Sequence, residues 1–153
     1  MFKKRKTIKQ VEEGNELAPK FDQNGFIPVV TTDAKSGVVL MHAYMNDEAL
    51  KKTIATKEAH YYSRSRKCLW HKGATSGLVQ DVKNIYIDDD QDCVWLNVIV
   101  RGEASCHVGY KSCFYRELEK KGENFSTNLV FNEDKKVFDP NEVYEGIENP
   151  TKL

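Results

Sequence analysis

Four short runs of β-branched and aliphatic residues, paired across polar turns, limit this chain to a fold built on β-sheet. Phe26–Thr32 (FIPVVTT) and Val38–Tyr44 (VVLMHAY) flank the turn-forming stretch Asp33–Gly37, which predicts a hairpin. Gln80–Ile87 and Cys93–Arg101 (CVWLNVIVR) predict two more strands, joined through an acidic segment. His60–Ser63 reads as a further strand running into a polar, glycine-punctuated stretch. One segment departs from the pattern. Asn46 supplies an N-cap, and Asp47 and Glu48 first-turn acids, for a helix through about residue 57. Ala49, Leu50, Thr53 and Ile54 would share its buried side. Further on, Phe114–Lys121 reads as a short helix, Leu129–Phe131 as a short strand, and Asp139-Pro140 as the opening of a helical turn. The expected class is mainly β (α+β).

The chain of 153 residues is long enough for one domain with a real core. Its 40% apolar and 30% charged residues suit a globular protein. Twenty-three basic residues balance 23 acidic ones, which gives no broad electrostatic reason to bind nucleic acid or an anionic membrane. No apolar run approaches the length that spans a bilayer. The basic start, MFKKRKTIKQ, lacks the apolar core of a secretory signal, so the expected compartment is the cytoplasm. There Cys68, Cys93, Cys106 and Cys113 would stay reduced and open to metal binding or catalysis.

Three stretches carry chemistry. The first is Asp88-Asp89-Asp90-Gln91-Asp92. On an extended backbone alternate side chains share a face, so Asp88, Asp90 and Asp92 would converge, and clustered carboxylates suit a hard cation such as magnesium. An acidic solvated turn is the plain alternative. The second is Cys106-His107 with Cys113: two loop thiolates able to reach one zinc, with His107 beside them as a proton relay. Two cysteines do not complete a site, and an open position is what hydrolytic zinc chemistry needs; two buried, inert cysteines beside a surface histidine are the plain alternative. The third is residues 63–77, SRSRKCLWHKGATSG. Arg64, Arg66 and Lys72 among Ser63, Ser65, Ser76 and glycines suit a phosphate, and Trp70 offers a face for a purine; a basic surface loop with one core tryptophan is the plain alternative.

In this order the stretches resemble the phosphoribosyl-AMP cyclohydrolase family of histidine biosynthesis. The resemblance runs through VLMHAYMN (39–46) with Glu48-Ala49-Leu50, YYSRSR (61–66), LWHKGATSG (69–77) with Gln80, Asp88–Asp92, and CHVGYKSCFYREL (106–118). It spans roughly residues 25–118, leaving 1–24 as an N-terminal arm and 119–153 as a C-terminal extension. It implies a β pseudobarrel capped by one helix, working as a homodimer with active sites at the interface. It also implies hydrolysis of the N1–C6 bond of an adenine ring in a phosphoribosylated purine nucleotide. Cys106 and Cys113 would then hold zinc, Asp88, Asp90 and Asp92 magnesium, and His107 would be the general acid–base.

This sequence departs from the family where a third zinc-binding cysteine is usual, since Asp89 stands there. Aspartate can bind zinc. Cys93 is a second candidate, although an extended strand would carry it roughly 13 Å from Asp89. His42, where the family has an aliphatic residue, is a third. Val108 and Thr32 also differ from the usual threonine and glutamine. These departures leave open a related hydrolase or deaminase acting on another purine-like ring, and a non-catalytic, zinc-stabilised dimeric binding module.

Overall fold

The structure is a computed structural model that describes residues 2–151; Met1 of the predicted arm and residues 152–153 of the predicted extension lie outside it. Its centre is a four-stranded sheet of β1 (Ile27–Asp33), β2 (Val39–Met45), β5 (Gln80–Ile87) and β6 (Val94–Val100), in the order β2-β1-β6-β5. The predicted β1–β2 hairpin forms, with Ile27 opposite Met45. Its turn is capped by the Asp33 carboxylate, which accepts from Lys35 N, Ser36 N and Ser36 Oγ. Gly37 follows at φ 74, the left-handed conformation such a turn requires. β5 and β6 pair antiparallel, and β6 lies parallel to β1 with Val29 opposite Val94.

The period-two pattern explains the core. Ile27, Val29 and Thr31 of β1 and Val94, Leu96 and Val98 of β6 are buried on the same face. Helix α2 (Asp47–Thr56) lies against β2 and the strands His60–Ser63 and Cys68–His71, and adds Ala49 and Leu50 to the same core. The Asn46 side chain caps it by accepting from Ala49 N at 2.8 Å. Ala49, Leu50 and Thr53 are buried as expected, whereas Ile54 is exposed on the other side. Leu96 is fully buried at the sheet centre, and its truncation to alanine should cost about 2–5 kcal/mol, read as a loss of unfolding free energy in denaturant.

Two hairpins complete the chain, β3 (His60–Ser63) with β4 (Cys68–His71), and β7 (Arg116–Lys121) with β8 (Asn124–Phe131). The mainly β expectation holds, with the strands lying in three sheets rather than a closed barrel among the described residues. Two local expectations are corrected. Residues 116–121 form a strand rather than a helix, because they pair with β8, and β4 emerges inside the stretch read as irregular. Two short helices, α1 (Ile8–Glu13) and α3 (Pro140–Val143), lie in the flanking segments, the latter at the predicted Asp139-Pro140 start. No described helix is long and apolar enough to cross a membrane.

Candidate active site

A cavity of about 980 Å³ opens between the β3–β4 hairpin, β2 and the loop after β6. All seven residues of the predicted substrate-binding set line it: Ser63, Arg64, Ser65, Arg66, Trp70, Lys72 and Ser76. His107 and Cys113 join them from the cysteine loop, and residues of the 140–151 segment form another wall. The hairpin turn folds Arg66 back so that its N and Nε both donate to Ser63 Oγ, at 3.3 and 3.2 Å. Arg64 stands 3.8 Å over the Tyr44 ring, and Arg66 lies 5.7 Å from the Trp70 ring centroid. Trp70 is half-buried and packs on Tyr61, so part of its ring serves the core and part faces the cavity.

The thiol loop is held by backbone bonds at both ends. Cys106 N donates to Tyr110 O at 3.1 Å, and Cys113 N to Leu40 O at 2.7 Å on edge strand β2. Ser112 Oγ adds a bond to Val39 O at 2.7 Å. The loop brings the Cys106 and Cys113 thiols together as interacting neighbours. The Cys113 thiol donating to Cys106, with help from the Val108 N–H and Lys72, holds the Cys106 thiol down to about 6. Cys113 keeps its proton and moves well above the ordinary thiol range. Lys72 is not a surface cation: it is buried, and burial pulls its ammonium below the usual lysine range while the two cysteines oppose that. His107 also moves down, from burial first and Lys72 second, so its imidazole is neutral at pH 7.

The aspartates sit elsewhere. Residues 88–92 form a turn closing β5 onto β6, not an extended run, and Gln91 adopts φ 58 at its bend. Ligand atoms of Asp88, Asp89 and Asp90 consequently come within 4.8 Å of one another, so Asp89 joins Asp88 and Asp90 instead of facing away from them. Asp92 lies 3.1 Å from Lys20 Nζ, which also reaches Asp90 at 3.5 Å. The bend also brings Cys93 close, its N–H bonding Asp88 Oδ1 at 2.9 Å. Three exposed or half-buried carboxylate donors in one turn fit a hard divalent cation, and a contacting thiol pair fits a soft borderline one.

These two donor groups lie at opposite ends of β6: the acidic turn precedes it and the thiol loop follows it, so seven strand residues, about 20 Å, run between them. Among the described residues no third histidine, cysteine or carboxylate joins the thiol pair. His42 lines the cavity edge-on to Tyr44, without completing such a group.

Sequence reasoning missed several residues around the site. Glu58 Oε2 lies 2.9 Å from His71 Nε2 without aligned hydrogen-bond geometry, and His71 stacks on His60 with ring centroids 4.4 Å apart. Fully buried Tyr61 donates to Gln80 Oε1 at 2.7 Å, and Gln80 Nε2 reaches Ser105 Oγ at 3.3 Å beside the first cysteine. Nothing local marks these links; only the LWH and YY spacing on paired strands could have suggested them.

A family model described as Phosphoribosyl-AMP cyclohydrolase matches residues 41–115. Proteins of that name include one from Rhodopseudomonas palustris, 52% identical over 88% of this chain and 88% of that protein. Another from Nitrobacter winogradskyi is 50% identical over 91% of this chain and 94% of its own length. A third, from a Bradyrhizobium species, is 57% identical over 82% of this chain and 95% of that protein.

Proposed function

This chain belongs to the phosphoribosyl-AMP cyclohydrolase family, metal-dependent hydrolases of histidine biosynthesis, and from that premise we propose how its residues divide the work. The substrate is phosphoribosyl-AMP, and the bond broken is N1–C6 of its adenine ring. The observation that carries this reading is the single cavity gathering Arg64, Arg66, Trp70, His107 and Cys113. Arg64 and Arg66, with Ser63, Ser65 and Ser76, hold the phosphates; Trp70 stacks on the purine. His107, neutral because it is buried, takes a proton from the attacking water and returns one to the departing ring nitrogen. Lys72 offsets the negative charge of the Cys106 thiolate beside it.

Cys106 and Cys113 would hold zinc, and Asp88, Asp90 and Asp92 magnesium. When bound, zinc supplies the Lewis acidity that brings the pKa of a water ligand near neutrality. The third zinc donor in this reading is Asp89 of a second copy, with Cys93 and His42 as the rivals to be tested against it. A homodimer therefore forms part of the proposal. It is supported by the placement of acids and thiols at opposite ends of β6 within one chain, and by exposed apolar residues such as Tyr86, Trp95, Phe125 and Phe131. A cytoplasmic location and a catalytic unit spanning residues 25–118, flanked by arm and extension, complete it.

The test is incubation of metal-loaded protein with phosphoribosyl-AMP, following ring opening by absorbance. Turnover lost in Cys106→Ser and His107→Ala, with Cys106→Ser alone shedding zinc, is the expected result. No turnover by fully zinc-loaded wild-type protein would overturn the assignment in favour of another purine-like ring or a binding role.

A further inference from the structure

The segment after β8 returns to the thiol loop and wraps it. Asn132 N donates to Tyr115 O at 3.0 Å, and its Nδ2 to Phe114 O at 3.2 Å. Val137 N donates to Gly109 O at 2.7 Å, and a Cβ on Gly109 would lie 2.5 Å from Phe138 O. Between these anchors stands Glu133. Its Oε2 accepts from Lys111 N at 2.8 Å and its Oε1 from Ser112 N at 2.9 Å. Two successive amides converging on one carboxylate form an anion-binding nest, and both oxygens are occupied by it.

We propose that Glu133 is a positioning residue for the thiol pair. Its carboxylate clamps the loop between Cys106 and Cys113, fixes their spacing, and makes the C-terminal extension part of the site's construction. Glu133 is not itself a donor, since it joins no three-ligand group with the two thiols. The loop's own carbonyls cannot replace it: Lys111 O already accepts from Ser105 N, and Tyr110 O from Cys106 N. Without the carboxylate, the Lys111 and Ser112 amides lose the acceptors they have among the described residues, and Cys113 is held from one side alone. The functional half of this proposal rests on the reading of Cys106 and Cys113 as zinc ligands.

The experiment compares wild type, Glu133→Ala, Glu133→Gln and, as a control, Asp134→Ala at the exposed neighbouring position. In metal-free protein, equilibration with glutathione disulfide converts the two thiols to a disulfide and releases two glutathiones. That equilibrium reads how often the sulfurs meet. In reduced protein, competition with a chelator reads zinc affinity. Glu133→Ala should weaken both by about tenfold, the worth of one charge-assisted hydrogen bond. Glu133→Gln, which keeps one acceptor oxygen, should recover part of each loss, and Asp134→Ala should match wild type. Equal values for Glu133→Ala and wild type in both assays would overturn the clamp. A shifted thiol equilibrium in a protein that binds no zinc would sustain the clamp and overturn the zinc reading alone.

Discussion

The Tyr61 hydroxyl lies fully inside the protein, between Thr31 Oγ1 at 2.7 Å and Gln80 Oε1 at 2.7 Å. Burial pushes its phenol far above the ordinary range, so it remains a neutral donor at any pH at which the protein folds. Tyr61→Phe would leave the buried Gln80 carbonyl without its donor. Denaturant unfolding of that variant should show a loss of about 1–3 kcal/mol, and an unchanged midpoint would deny the network its role. Single residues were partly legible in the sequence. Cys106, His107 and Cys113 stand close enough along the chain for their spacing to announce a shared loop. Lys72 was not legible in the same way. It reads as one more cation of a basic stretch, but it is buried, and its thiol neighbours come from residues more than 30 positions away.

The N-terminal arm is tied to the acidic turn by one side chain. Gln91 Oε1 accepts from Ala18 N at 2.7 Å, and its Nε2 donates to Val11 O and Glu16 O, at 3.0 and 3.2 Å. Lys20 N bonds Gln91 O at 2.7 Å, which delivers the Lys20 ammonium to Asp90 and Asp92. Gln91→Ala should free the arm to fast amide exchange and weaken magnesium binding by loosening the turn. Lys20→Met should tighten magnesium binding, by removing a competing cation. Calorimetric titration giving the same sign for both would dismiss this division of roles.

The β3–β4 hairpin carries a pH dependence of its own. Burial, above all, lowers the His60 pKa, so below its ordinary 6.5 the unfolded chain takes up a proton that the folded chain refuses. Stability should therefore fall as pH drops from 7 toward 5, and His60→Gln should flatten that slope in thermal melts. Elements with a sharp local signature, such as the Asn46-capped helix, were readable from the sequence. RELEKK (116–121) was not, because its residues favour helix, and only pairing with Asn124–Phe131 makes it a strand.

At the scale of the molecule, thiols and carboxylates at opposite ends of β6 make each chain of the proposed dimer half of two sites. Chains carrying Cys106→Ser and chains carrying Asp89→Ala should each be inactive alone. Unfolded together and refolded, they should regain about a quarter of wild-type activity, since half the dimers are mixed and each has one intact site. No recovery in a mixture proven to contain mixed dimers would mean that the site is not shared in this way. The strands themselves were foreseeable from periodicity, but their order was not, because no local pattern specifies that β6 lies beside β1. That adjacency has a consequence for synthesis. The β1–β2 hairpin is complete at Met45, yet β1 waits for Val94–Val100 to supply its second neighbour. At about 5–20 residues per second, a ribosome needs roughly 3–11 s to make that stretch. Throughout the interval the nascent chain carries an unpaired β1 edge with Val29 uncovered, which makes crowding among neighbouring ribosomes the moment of greatest risk for this protein.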